Sequence, residues 1–179
     1  MRFRNTESAF GLIAKLFHWL VALLVFGLFG VGLYMVDLTY YDNYYQTAPF
    51  LHKSFGVLLF VLMVARVLWR WTNTKPAPLA THTSFEIKVA HVVHLGLYLL
   101  LLSTILSGYL ISTADGRAID FFGLFPIPSV TGNIDQLEDY AGSVHEILAW
   151  TIIVVVVLHV AGAVKHAVID KDQTLRRML

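Results

Sequence analysis

Residues 145–159, HEILAWTIIVVVVLH, begin and end with histidine, and most of the residues between are apolar. Extended to about residues 144–164, the run is long enough to cross a bilayer, which takes about 20 residues as a helix. Fourteen residues at about 100° each make nearly four full turns, so His145 and His159 share one helix face. At about 1.5 Å per residue they lie roughly 21 Å apart. The stretch therefore predicts a membrane helix that presents two polar side chains at two depths.

The whole chain has the composition of a membrane protein. Of its 179 residues, 57% are hydrophobic and only 14% are charged, and its mean hydropathy of +0.67 is too high for an ordinary soluble domain. Four stretches can span a bilayer, so we predict an all-α fold, a four-helix transmembrane bundle that forms one domain over residues 1–179. The predicted helices cover about residues 10–36, 51–71, 86–112 and 143–168. The long segment before the fourth helix is predicted to be a loop along the membrane surface.

Lysine and arginine predict the orientation, because they are enriched in cytoplasmic segments. With both termini in the cytoplasm, eleven of the thirteen basic residues fall on the inner side and two on the outer side. The outer two are Lys53 and Arg117. We therefore expect a multi-pass protein of the bacterial inner (plasma) membrane with cytoplasmic N- and C-termini.

The remaining histidines supply partners for His145 and His159. His18 starts the first predicted helix on the inner side, and His52 starts the second on the outer side. Their depths pair His18 with His159 and His52 with His145. Facing imidazoles at two levels suit two six-coordinate haem irons, because bundle cores hold cofactors between facing helices. His94 (or His91) remains an alternative to His18 opposite His159.

Cysteine is absent, which excludes cysteine-ligated iron–sulfur clusters and the C-x-x-C-H attachment of haem. Any haem must then be held by coordination and packing. Gly56 and Gly162 are candidates for the space that a haem plane needs, although contact between helices is a simpler interpretation. Arg66, on the face of His52, could pair with a haem propionate or reach the lipid headgroups. No Ser–His–Asp arrangement, phosphate loop or zinc spacing is evident.

Two further histidines lie outside these pairs. His82 lies in a Pro- and Thr-rich inner loop and is expected to be solvated. His166 lies beside Lys165 at the inner surface, where it could pass protons to a quinone but needs no function.

An ordered set of motifs resembles the bacterial cytochrome b561 family. The motifs are KLFHWLVALL (15–24), LHKSFGVLLFVLMVARVLWR (51–70), AHVVHLGLYLLLLSTILSGYLIS (90–112), VHEILAW (144–150) and LHVAGAVKHAVIDKDQTLRRML (158–179). The family consists of four-helix, di-haem membrane cytochromes related to the b-type subunits of hydrogenases and formate dehydrogenases. The resemblance covers the chain from about residue 8 onward. It places the family's haem and iron ligands on His18, His52, His145 and His159.

The resemblance implies an oxidoreductase with two non-covalent haem b groups that passes single electrons between an outer-side donor and ubiquinone. The donor could be superoxide, as for at least one bacterial member. The outer side carries eight acidic residues against two basic ones, which disfavours steering of an anion by average charge. A local basic spot at Lys53, next to His52, could still serve.

Two alternatives remain open at this point. The chain could be a b-type anchor subunit that links a separate dehydrogenase or hydrogenase to the quinone pool. It could also be a haem-free proton or metal transporter. The expected partners are membrane lipid, a quinone and an outer-side electron donor. A homodimer is compatible with the sequence, and nucleic acid is not expected as a partner.

Overall fold

The computed structural model describes residues 2–179. Its helices are α1 (Leu12–Val36), α2 (Thr47–Trp71), α3 (Ser84–Thr113) and α4 (Leu137–Val168). Two short strands, β1 (Ile119–Phe121) and β2 (Phe125–Ile127), lie between α3 and α4. All four helices are long and apolar enough to cross a membrane. The predicted class of four transmembrane helices is confirmed.

The helices expose apolar side chains that the described chain does not cover. Leu23 on α1 is 71% exposed, and Val92 on α3 and Leu158 on α4 are similarly open. Apolar surface of this extent is unfavourable in water but compatible with lipid. Because helices satisfy their own backbone hydrogen bonds, they can present such surfaces to hydrocarbon.

Two helices begin four or more residues earlier than the sequence predicted. Helix α4 begins at Leu137, in the segment predicted to be a loop, and Glu138 and Asp139 occupy its first turn. Acidic residues are favourable at a helix N-terminus, where the helix dipole is positive. Helix α2 begins at Thr47 and has Pro49 in its first turn. Proline has no backbone N–H, but an N–H in the first turn has no acceptor within the helix, so no hydrogen bond is lost. Hydropathy missed both extensions because polar residues and Pro49 interrupt them.

The chain divides into two compact units, and each contains part of every helix. The terminal unit contains the described residues up to Leu20, together with Val64–Leu101 and Trp150–Leu179. The hairpin unit contains Val21–Met63 and Leu102–Ala149, including both strands.

In the terminal unit, the C-terminal tail packs against the α2–α3 loop and α1. The Arg177 guanidinium donates to the Ala77 carbonyl at 2.8 Å. The Trp19 indole donates to the Met178 carbonyl at 2.8 Å. The Ala77 amide donates to the Glu7 carbonyl at 2.7 Å. These contacts connect both ends of the chain to one loop.

In the hairpin unit, β1 and β2 form an antiparallel hairpin in which Phe121 pairs with Phe125. Its turn places Phe122 and Gly123 at positive φ, 51° and 71°. Ser54 on α2 is fully buried; its hydroxyl accepts from the Phe122 amide at 3.1 Å and donates to the Asp120 carbonyl at 3.3 Å. The sequence did not predict this hairpin, because three-residue strands carry no clear alternation and a side chain from α2 holds the turn.

Candidate functional site

The structure brings the predicted histidine pairs together. In the hairpin unit, the ring centres of His52 and His145 lie 6.3 Å apart, with their planes at 73°. In the terminal unit, the ring centres of His18 and His159 lie 6.2 Å apart, with their planes at 65°. We call these the hairpin pair and the terminal pair. Each joins α4 to another helix, so four widely separated positions in the sequence form two sites.

Both separations fit one metal held between two imidazoles. Metal–imidazole bonds are about 2 Å long, so two opposed rings have their centres roughly 6 Å apart when one ion lies between them. The rings of His94 and His159 lie closer, at 5.2 Å. This separation favours His18 over His94 as the residue opposite His159.

Hydrogen bonds at Nδ1 of His145 fix the tautomer that binding of a haem iron through Nε2 would require. Its Nδ1 lies 2.9 Å from the Thr104 carbonyl, which can only accept, so Nδ1 carries the proton. The Ser107 hydroxyl donates to the Thr104 carbonyl at 2.9 Å and is a second acceptor for this proton at 3.0 Å. Nε2 is left with the lone pair. A ligating histidine commonly donates its other ring N–H to a backbone carbonyl in this way.

Two glycines allow close approach to the hairpin pair. A β-carbon added at Gly108 on α3 would lie 3.0 Å from Cε1 of His145, and one at Gly32 on α1 would lie 3.4 Å from Cε1 of His52.

The Nδ1 of His52 is buried without a hydrogen-bond partner in residues 2–179, although the Leu28 carbonyl lies beside this ring. If Nδ1 carries a proton, the Leu28 carbonyl is the acceptor beside it, and Nε2 is left to bind a metal, as in His145.

The terminal pair has different neighbours, Arg66 and Tyr98. The Arg66 guanidinium lies 3.2 Å from Nδ1 of His18 and donates to the Tyr98 hydroxyl at 3.1 Å. Because arginine can only donate, Nδ1 of His18 is the acceptor here, and a neutral ring then carries its proton on Nε2. If a neutral His18 held iron through Nε2, its Nδ1 would carry the proton, and Arg66 could no longer donate to it. Its guanidinium would then be available to an anionic group, which was one of the two interpretations of Arg66.

The other predicted site residues lie apart from these contacts. A β-carbon at Gly56 or Gly162 would meet no described atom within 4 Å, so both border open space, and their role in haem binding stays a prediction. Lys53 is exposed beside His52.

Sequence reasoning missed several residues of the site. Gly32 and Gly108 could not be distinguished from the other glycines of the spans, because only the fold shows which of them face a histidine. Ser107 and Tyr98 gave no signal of their own. His82 is not solvated as expected; its side chain is only 16% exposed and contacts Asp172, because the C-terminal tail folds back over its loop.

Comparison with known proteins identifies the family. A family model described as prokaryotic cytochrome b561 matches residues 9–179. The chain belongs to this family. The resemblance in the sequence motifs is thereby confirmed, and cytochrome b561 membership implies b-type haem, membrane electron transfer and, in general terms, oxidoreductase chemistry.

Relatives with established names support the same family. "Cytochrome b561 homolog 2" of Escherichia coli (strain K12) is 48% identical over all of this chain and 95% of its own length. "Probable superoxide oxidase CybB" of Yersinia pestis is 30% identical over 90% of each chain. "Cytochrome b561 homolog 1" of Escherichia coli (strain K12) is 27% identical over 72% of each chain.

Proposed function

We propose that this cytochrome binds two haem b groups without covalent attachment and passes single electrons between an outer-side donor and ubiquinone. The observation that carries the proposal is the pair of ring separations, 6.3 Å for His52 and His145 and 6.2 Å for His18 and His159. Two such pairs, each joining α4 to another helix, could each hold one haem through its two imidazoles. Haem b, when bound, supplies a one-electron couple whose potential depends on its ligands and surroundings.

The chain's own residues prepare each pair for this role. Thr104 and Ser107 hold the Nδ1 proton of His145 and so leave Nε2 free to bind a metal. In the terminal pair, Arg66 provides a positive charge beside His18. The apolar spans keep water away, which strengthens the effect of such charges and dipoles.

We also propose that both termini lie in the cytoplasm of a bacterium and that the hairpin pair is the outer one. The distribution of lysine and arginine supports this orientation. The terminal pair would then lie on the side from which a quinone can take up protons.

Superoxide is the donor that we propose for the outer side, since a relative at 30% identity carries the name probable superoxide oxidase. Two superoxide anions would be oxidised to two dioxygen molecules. The two electrons released, with two protons from the inner side, would reduce one ubiquinone to ubiquinol.

The first experiment is a dithionite-reduced minus air-oxidised visible spectrum, with haem extracted and counted per chain. We expect two non-covalent b haems per chain, and one haem per chain in His52→Ala and in His159→Ala. His91→Ala, an exposed histidine on α3, is the matched control and should keep two. One haem in the wild-type protein would remove one pair from the proposal, and none would remove electron transfer by haem.

A second experiment tests donor and acceptor. Purified protein with ubiquinone and a superoxide source should form ubiquinol without another subunit. Activity that appears only with a stoichiometric soluble partner would instead favour the anchor-subunit alternative.

A further inference from the structure

Three potential metal ligands from separate segments meet in the terminal unit, outside both histidine pairs. His82 lies in the α2–α3 loop, His166 near the end of α4, and Asp172 in the C-terminal tail. Nε2 of His82 and Nδ1 of His166 each lie 3.1 Å from the same oxygen, Oδ2 of Asp172. The three donor atoms all lie within 4.8 Å of one another.

We propose that His82, His166 and Asp172 form a binding site for a divalent transition-metal ion. Zn²⁺ is the ion with which this site can be tested. Donor atoms bound to zinc at 2.0–2.1 Å in a tetrahedral arrangement lie about 3.3 Å apart. The two distances of 3.1 Å are close to this separation, and the third donor-to-donor distance is at most 4.8 Å. Two imidazoles and one carboxylate are a common zinc ligand set and leave a fourth position for water.

The surroundings hold these ligands in place. The backbone reverses at Lys171, which has a φ of 53°, and the Asp172 amide donates to the His166 carbonyl at 3.1 Å. The second oxygen of Asp172 accepts from the Thr174 amide at 2.8 Å. The Thr174 hydroxyl lies 3.0 Å from Nε2 of His82. The carboxylate is thus oriented by the tail itself before any metal binds.

The site is shielded from water and keeps its negative charge. The side chains of His82 and His166 are 16% and 14% exposed, and that of Asp172 is 4% exposed. Burial alone would raise the pKa of Asp172, but hydrogen bonds from Thr174 and His82 and the proximity of His166 lower it to about 2. Asp172 is therefore a carboxylate at neutral pH, as a metal ligand must be.

A neighbouring group of possible ligands is a poorer site. Glu86, His166 and Asp170 also converge, but the Lys165 ammonium already lies 2.5 Å from Glu86 and 2.7 Å from Asp170. A metal ion there would have to displace or repel this ammonium. Asp170 also accepts from Nδ1 of His166 at 2.7 Å, a contact that metal binding at Asp172 would break.

Metal binding at this site would stabilise the fold of the terminal unit. The ion would join the α2–α3 loop, α4 and the tail, which meet through hydrogen bonds, ion pairs and the ring contact of His82 with His166. A ligand that binds only the folded protein raises its stability. Zinc should therefore raise the unfolding temperature of the whole chain.

The test uses full-length, haem-loaded protein without an affinity tag. After treatment with a chelator, it is titrated with ZnCl₂ in a calorimeter, and bound zinc is counted after dialysis. We expect one zinc per chain, and binding at least about tenfold weaker in His82→Ala and in Asp172→Asn, since even changes around metal ligands cost that much. His91→Ala should bind zinc as the wild type does, and Asp170→Asn should bind it no more weakly, because the contact of Asp170 with His166 competes with the metal.

Each variant is checked by its reduced-minus-oxidised haem spectrum, which should stay unchanged, and by its unfolding temperature with and without zinc. Zinc should raise that temperature in the wild type but not in His82→Ala. Absence of stoichiometric zinc in the wild type would overturn the proposal and leave the cluster as a hydrogen-bonded contact. Unchanged affinity in His82→Ala, or a loss in Asp170→Asn equal to that in Asp172→Asn, would overturn the assignment of ligands.

Discussion

Gly108 on α3 and His145 on α4 are so close that a β-carbon at residue 108 would lie 3.0 Å from Cε1 of the imidazole. The ring cannot easily move away, because Thr104 and Ser107 of the same helix hold its Nδ1. We expect Gly108→Ala to displace His145 and to remove the haem bound at the hairpin pair. Haem extraction should then give about one haem per chain instead of two.

Two other glycines serve as comparisons for this prediction. A β-carbon at Gly32 would lie 3.4 Å from Cε1 of His52, which is ordinary contact, so Gly32→Ala should keep most of its haem. Gly96, also on α3, has no described atom within 4 Å of such a β-carbon, and Gly96→Ala should behave as the wild type. Equal haem content in Gly108→Ala and Gly96→Ala would contradict the argument.

Ser107→Ala should raise the midpoint potential of the haem at the hairpin pair. The Ser107 hydroxyl is one of two acceptors of the His145 Nδ1 proton. Losing it makes the imidazole a weaker electron donor to the iron, which favours the reduced state. A redox titration followed at the α band measures the shift.

The exposed Ser103, one turn earlier on α3, provides the matched control. Ser103→Ala should leave both potentials unchanged. An unchanged potential in Ser107→Ala would mean that the Thr104 carbonyl alone holds the proton of His145, and a lower potential would mean that the hydroxyl has another effect.

Much of the fold could be predicted from the sequence because membrane helices have a strong signal. Twenty apolar residues identify a span, and helical spacing places His145 and His159 on one face. Depth then selects His18 and His52 as partners, and the structure brings these pairs together.

The residues that contact the four histidines could not be predicted from the sequence, because these contacts depend on how the helices are rotated and spaced. Arg66 is an example: the sequence places it near the inner end of α2, but only the structure shows its contact with Nδ1 of His18. The contact of His82 with Asp172 joins residues that lie 90 positions apart. No local pattern in the sequence relates such residues.

Arg66→Gln should lower the midpoint potential of the haem at the terminal pair. A cation close to a haem stabilises the reduced state, which carries one positive charge fewer. Glutamine removes that cation but keeps a polar side chain that can donate hydrogen bonds. We expect a shift of roughly 60 mV, which corresponds to a tenfold change for a one-electron couple. The haem at the hairpin pair should keep its potential.

Tyr98→Phe separates charge from hydrogen bonding in this prediction. It removes the hydroxyl that accepts from Arg66 but leaves the guanidinium, which lies over the Tyr98 ring at 5.6 Å from its centre. Its shift should be clearly smaller than that of Arg66→Gln. Equal shifts in the two variants would indicate that Arg66 acts through its position and not through its charge.

Ser54→Ala should release the hairpin of β1 and β2 from α2. The Ser54 hydroxyl is the partner of the Phe122 amide in a turn that needs positive φ at a non-glycine residue. An unsatisfied buried group costs about 1–3 kcal/mol. We expect faster hydrogen exchange of the Phe122 amide and a lower unfolding temperature, with two haems retained. Ser103→Ala is again the control, and unchanged exchange at Phe122 would show that the hairpin does not depend on this serine.

Lys53→Ala should slow the reduction of haem by superoxide, and Arg117→Ala should not. The guanidinium of Arg117 is paired with Asp115, whose pKa is lowered by hydrogen bonds from the Arg117 backbone and side chain, so this pair has no net charge near neutral pH. Lys53 is exposed beside His52 and forms no ion pair within residues 2–179, so its charge is available to an incoming anion. Rates followed by stopped flow should differ most at low ionic strength, because salt screens steering. If Lys53→Ala reduces haem as fast as the wild type at every salt concentration, an anionic donor is not guided by this residue.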